Sequence, residues 1–290
     1  MSRRRRVELL SQLTRALREA MRRSFRMPRG SRSAVLLAAV LGILPVLPGC
    51  GLAENAALVC AAPADLVQFN KPLARMAERI AVGGPVTIVA IGSSSTAGFG
   101  ASSVTASYPS RLYAALNVKL PGIQITVLNR GVNGEEISGM LARLDRSVIA
   151  ERPDLVLWQF GTNAVLHAEK VASDAALIAE GLKRLKATGA DVVLIDPQFA
   201  PKVIAEPNAK PIDEMISAAA TQGRVALFRR FAVMRYWHNV AHMPFKAFLS
   251  PDNLHMNDWS YDCMARLLAN AIVRASTDTR ETAHAPAPQG

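Results

Sequence analysis

Val86-Thr87-Ile88-Val89-Ala90-Ile91-Gly92-Ser93-Ser94-Ser95-Thr96 decides how this chain is read. Its first six residues are rich in β-branched side chains, enter through Gly83-Gly84-Pro85 and leave at a glycine. That pattern predicts a strand buried on both faces, as parallel strands are. Open α/β sheets bind ligands outside the carboxyl ends of their strands, so the three serines at this turn face the place where chemistry is expected. One of them is read as a nucleophile.

Working outward, the periodicity predicts a helix over 72–81 before the first strand, then a helix over 108–118 and a strand over 124–128. A helix over 137–149, a strand over 154–160 and a helix over 172–188 follow. The series closes with a strand over 191–195, a short helix over 213–221, a strand over 225–228 and a last helix over 258–274. Strands alternating with helices at this spacing predict an α/β fold, a five-stranded parallel sheet covered on both faces. Two connections, 197–211 and 229–251, are longer than the others and lie on the serine rim or near it. Residues 225–261 hold half of the aromatic side chains, which form either a packed flap or a wall of the binding site.

With 290 residues, half of them hydrophobic, the chain is long enough to bury a sizeable core. The formal charge of +11 invites a nucleic-acid reading until it is located. Residues 1–33 hold eleven Arg and two Glu, a net +9, leaving +2 on everything that follows. A body so nearly neutral has no basic footprint for nucleic acid. The expected divisions are a basic leader at 1–33, an apolar and cleavage or lipidation region at 34–61, the domain at 62–275 and a disordered tail at 276–290.

Ala34 to Leu47 carries no charge, too short for a span and suited to the apolar region of a signal peptide. Leu47-Pro48-Gly49-Cys50 resembles a lipobox, making Cys50 a candidate for lipidation and membrane anchoring; Gly51-Leu52-Ala53 and Val59-Cys60-Ala61 are alternative cleavage regions. The leader's length fits either a twin-arginine signal at Arg22-Arg23-Ser24-Phe25 or a start at Met21 or Met27. The competing reading is a basic amphipathic helix, with Leu9, Leu13 and Leu17 on one face, lying on a membrane surface. Export is the expectation, to the periplasm, the medium or a lipid anchor. With Cys50 lipidated or removed, Cys60 and Cys263 remain, either joined in a disulfide or separate as buried thiols.

A serine hydroxyl needs a base, and the base needs an acid to orient it. Of the four histidines before the expected tail, only His255 stands three residues after a carboxylate, within Ser250-Pro251-Asp252-Asn253-Leu254-His255. Acyl transfer also needs donors for an oxyanion. Asn129-Arg130-Gly131-Val132-Asn133-Gly134 offers a backbone N–H after the second strand, and Gly161-Thr162-Asn163 an amide side chain after the third.

These segments, in this order, resemble the SGNH hydrolases, or GDSL-type esterases, over about Val86 to Ala275. The resemblance implies a flavodoxin-like three-layer α/β/α sandwich. It assigns Ser94 as nucleophile, Asp252 and His255 as acid and base, and Gly134, Asn163 and the Ser94 N–H as oxyanion donors. Ser94 is chosen over Ser93 and Ser95 by the alignment of Gly92. The sequence departs from the family where Ser93 and Ala164 replace customary aspartates, positions outside the reacting groups.

Asp196 and Gln198, at the end of the fourth strand, are candidates to line the pocket, and His167, four residues after Asn163, to reach it. His238 and His242 are spaced like a metal pair without a third ligand, so no metal and no cofactor are expected. The expected function is an exported serine esterase acting on acetyl or short-acyl esters of small molecules or polysaccharide. The alternatives are an O-acetyltransferase using the same residues and a non-catalytic carbohydrate- or partner-binding protein on the same fold.

Overall fold

The strand that ends at the serines, β1 (Val86–Gly92), lies inside a five-stranded sheet of order β2-β1-β3-β4-β5, all parallel. Its neighbours are β2 (Ile125–Gly131) and β3 (Leu155–Gln159), followed outward by β4 (Asp191–Ile195) and β5 (Ala226–Phe228). The computed structural model describes residues 59–167 and 171–283. The leader, Cys50 and residues 284–290 lie outside the described residues.

In β1, Val86 and Ile88 to Ile91 are completely buried, each Val and Ile side chain contributing roughly 1.5–3 kcal/mol relative to exposure. The strand register sets Val86 beside Ile125 and Gly92 beside Gly131 on one side, and Ile91 beside Trp158 on the other. Two helical groups pack within themselves: α1 (Ala74–Ala81), α3 (Tyr108–Lys119) and α9 (Asp258–Ala283); and α4 (Ile137–Ala142), α6 (Val171–Lys186) and α7 (Ala209–Gly223). The result is the three-layer α/β/α sandwich. Chain order reverses at β1, so the crevice between the ends of β1 and β3 is where such a sheet takes its ligands.

The predicted helix over 137–149 is broken. It stops at Ala142, and Arg143 turns its side chain inward to the loop after β2, while Leu144–Ser147 continues as a separate turn. The connection at 197–211 holds a helical turn, Pro201–Ile204, and the start of α7, because proline costs no helical hydrogen bond in a first turn. The one at 229–251 holds α8 (Arg230–Asn239). The aromatics of this segment divide. Trp237 and Phe248 are buried against each other, with Trp237 also on Trp259, whereas Phe231 and Phe245 join Phe199 in a half-buried cluster.

Residues 276–283, expected in a disordered tail, are helical: α9 continues through them and Ser276 is buried, its hydroxyl bonded to the Ile272 carbonyl. Cys60 and Cys263 are joined as a disulfide with Cα atoms 5.4 Å apart, tying the first described residues to α9. No helix among the described residues is long and apolar enough to cross a membrane.

Candidate active site

Beyond Gly92, Ser93 precedes a single helical turn, α2 (Ser94–Ala97), without a side-chain cap bond to it. The three serines are not equivalent: Ser93 and Ser95 are buried, whereas Ser94 is partly exposed. One acceptor fixes the turn. Gln159 Oε1, at the end of β3, receives the Ser93 N–H (3.1 Å), the Ser93 hydroxyl (3.2 Å) and the Thr96 hydroxyl (3.0 Å). Ser93, standing where an aspartate is customary, therefore bonds across the sheet. Gln159 escaped the sequence reading, although a polar residue ending the apolar run Leu155 to Trp158 was the available signal.

Ser94 Oγ lies 2.8 Å from His255 Nε2, and His255 Nδ1 lies 2.6 Å from Asp252 Oδ2. His255 is nearly buried. The turn before α9 folds so that Asp252 Oδ1 accepts three donors: the Ser250 hydroxyl (2.7 Å) and the N–H groups of His255 (2.9 Å) and Leu254 (3.0 Å). Asn253 supplies the left-handed residue this turn requires, with φ 57°. Burial alone would raise the Asp252 carboxyl. The hydrogen bonds from His255, from Ser250 and from the two backbone N–H groups outweigh it and hold the group well below the ordinary carboxylate range. A carboxylate held in its charged form near neutral pH thus faces one nitrogen of the ring while the other faces a hydroxyl, the arrangement in which a serine can be made nucleophilic.

The loop after β2 lies against the serine turn. Gly131 approaches so closely that a Cβ there would stand 2.1 Å from the Ala97 nitrogen, and Val132 N–H donates to the Gly92 carbonyl at 2.9 Å. Gly134 is exposed, with φ 72°. Asn163, in α5 (Thr162–Leu166), donates its side-chain N–H to the carbonyl of Glu135 at 2.8 Å, which brings it beside Gly134. Arg143 holds the loop from behind, bonding Glu135 through Nε (2.6 Å) and Nη2 (2.5 Å) and the Arg130 carbonyl at 2.7 Å. Both side chains of this ion pair are mostly buried.

The structure takes other predicted residues away from the pocket. Gln198 is completely buried, and its Oε1 accepts the Thr162 hydroxyl (2.8 Å) and the Ser95 hydroxyl (3.3 Å), so it fastens two turns together. Asp196 is also buried; its Oδ1 accepts the Phe231 N–H and its carbonyl accepts Arg230 Nε. Burial, then the neighbouring Asp213 carboxylate, push its pKa well above the ordinary carboxylate value. His167 is exposed and pairs with Glu136 at 2.6 Å, beside the β2 loop. His238 stacks on Phe245 at 4.0 Å with Nδ1 at the Met243 carbonyl. No group of three or more His, Cys, Asp or Glu able to hold a metal occurs among the described residues. A cavity of about 520 Å³ between α6 and α7, lined by residues such as Leu182 and Met215, involves none of the serine-site residues.

The sequence profile of the Non-GDSL lipase-like family matches residues 59–278. The chain belongs to this family. Among solved structures, this family member superposes on a two-domain esterase active on acetylated mannans, crystallised with mannopentaose. That TM-score is 0.64 at 19% identity, over 77% of this chain and 59% of the other, so the chain spans about three fifths of that protein's length. An acetylxylan esterase from Geobacillus stearothermophilus matches with a TM-score of 0.55 at 17% identity, over 66% of this chain and 94% of its own. A third, another acetyl xylan esterase, gives 0.55 at 16% identity over 64% and 100%. No curated protein matches the sequence. At these identities the likenesses establish the SGNH fold of this chain.

Proposed function

We propose that this protein is an exported serine esterase that hydrolyses acetyl or short-acyl esters of carbohydrate. The observation that carries the reading is the His255 ring, 2.8 Å from Ser94 Oγ and 2.6 Å from Asp252 Oδ2. His255 Nε2 takes the Ser94 proton as the hydroxyl attacks the ester carbonyl, and Asp252 stabilises the imidazolium. The N–H groups of Ser94 and Gly134 and the Asn163 amide receive the oxyanion, each such donor being worth about 2.7–4 kcal/mol. His255 then protonates the leaving alcohol, and water, activated by the same nitrogen, releases the acid and frees Ser94.

The acetylated mannan and xylan substrates named for the structural neighbours support a carbohydrate ester as substrate. Export is supported by the apolar region 34–47, by the lipobox-like Cys50 and by the Cys60–Cys263 disulfide, a bond that persists in oxidising compartments. A fluorophosphonate reagent, which captures activated serines, tests the assignment. Peptide mapping is expected to find the label on Ser94 and to lose it in Ser94→Ala. Label on Ser93, on Ser95 or nowhere would overturn it.

A further inference from the structure

Phe99 immediately follows the serine turn, and 51% of its surface is exposed although it is a large aromatic residue. Its ring centroid lies 4.5 Å from that of His255, the planes tilted by 48°. The backbone beneath it is fixed from several sides. Its N–H donates to the Ser94 carbonyl at 2.9 Å, and its own carbonyl accepts the Tyr261 hydroxyl at 2.7 Å. Nearby, Ser102 donates through N–H (2.8 Å) and Oγ (2.5 Å) to Asp258 at the start of α9. Gly100, with φ 88°, passes so near that a Cβ there would stand 2.6 Å from the Met256 carbonyl and 3.0 Å from His255 Cβ. The exposed ring is therefore held in place by a rigid segment, and it is presented beside the histidine.

We infer that Phe99 is the platform on which the alcohol half of the ester stacks, and that this half is a pyranose ring. The inference rests on the serine-esterase reading for its geometry. In that reaction the leaving oxygen must come within hydrogen-bond reach of His255 Nε2, roughly 3 Å. Atoms attached to that oxygen are then brought next to the ring that packs on the histidine, while the acyl carbon faces Ser94 and its oxyanion donors. An acetyl group offers a flat aromatic face little to cover. A sugar ring presents a flat array of C–H groups that an aromatic face can pack against, and a fixed platform binds it without the cost of ordering.

The test compares kcat/KM for acetylated xylo- and manno-oligosaccharides with that for ethyl acetate, in the wild type, Phe99→Ala and Phe99→Trp. In Phe99→Ala the sugar-ester to ethyl-acetate ratio is expected to fall about 3–10-fold, mainly through KM, and Phe99→Trp is expected to restore it. In parallel, deacetylated oligosaccharide is titrated into Ser94→Ala with and without Phe99→Ala, where the second change is expected to weaken binding several-fold. Equal losses on both esters with a displaced pH profile would make Phe99 only a seat for His255 and overturn the platform. Equal sugar affinity with and without Phe99 would overturn it as well. Absence of all ester hydrolysis in the wild type, with sugar binding still dependent on Phe99, would sink the esterase reading and keep the platform.

Discussion

At the amino ends of the strands, Asp154 accepts Arg75 Nε and the Thr87 N–H, each at 3.0 Å, and Asp191 accepts the Met76 N–H at 2.9 Å. At the carboxyl ends, buried nitrogens of Gln159, Gln198 and Arg230 find no hydrogen-bond acceptor among the described residues. One edge closes its polar groups on one another and fastens the fold. The other keeps donors in excess, with a buried cation at Arg230 and an Asp196 carboxyl pushed by burial toward its neutral form. The proposed oxyanion donors, Gly134, Asn163 and the Ser94 N–H, follow the strand ends at this second edge. The comparison teaches that stability and activity are separable along the strand direction, and each of the following substitutions probes that separation.

The largest effect is expected from His255→Ala or Ser94→Ala, which should lower kcat by at least about 10⁴-fold with little change in melting temperature. Steady-state kinetics beside thermal melts check both halves of that statement. Asn163→Ala should cost about 10²–10³ in kcat if its amide serves the oxyanion; a merely structural role would appear as lost stability with turnover intact. Removing the disulfide with Cys60→Ala and Cys263→Ala should lower stability by about 2–5 kcal/mol in denaturant titration and leave kcat unchanged at permissive temperature. Asp154→Ala strands the Thr87 N–H, for about 1–3 kcal/mol of stability and again no loss of turnover.

The smallest effect is a change of slope. Because the folded state raises the pKa of Asp196, it holds a proton that the unfolded chain releases near the ordinary carboxylate value. Native stability therefore declines as pH rises from that value through the raised one. Asp196→Asn removes its share of the decline, leaving those of Asp191 and Asp213, so its melting temperature should gain on the wild type across that window. Parallel curves would contradict the assignment.

Much of the fold was legible because its strands are short apolar runs punctuated by glycine. β4 was read to the residue, strand-end position pointed to the three serines and spacing to the Asp252–His255 pair, while the choice of Ser94 among the serines came from the family resemblance. What escaped was everything set by packing across the sequence. That Gln159 reaches sideways to the serine turn, that Arg143 breaks a helix to hold Glu135, and that Gln198 is sealed beneath the rim all depend on neighbours distant in sequence. Asp196 was correctly placed at the end of a strand, but its partners come from Phe231 in α8, a segment read as a long connection, and from Asp213 in α7, read only as a short helix over 213–221.

The account rests on Ser94 as the activated hydroxyl, and hydrolysis of p-nitrophenyl acetate by the disulfide-bonded chain beginning near Cys60 tests it most directly. The wild type should turn over the ester, and Ser94→Ala, with an unchanged circular dichroism spectrum and melting temperature, should not. Equal turnover by the two proteins would contradict the account.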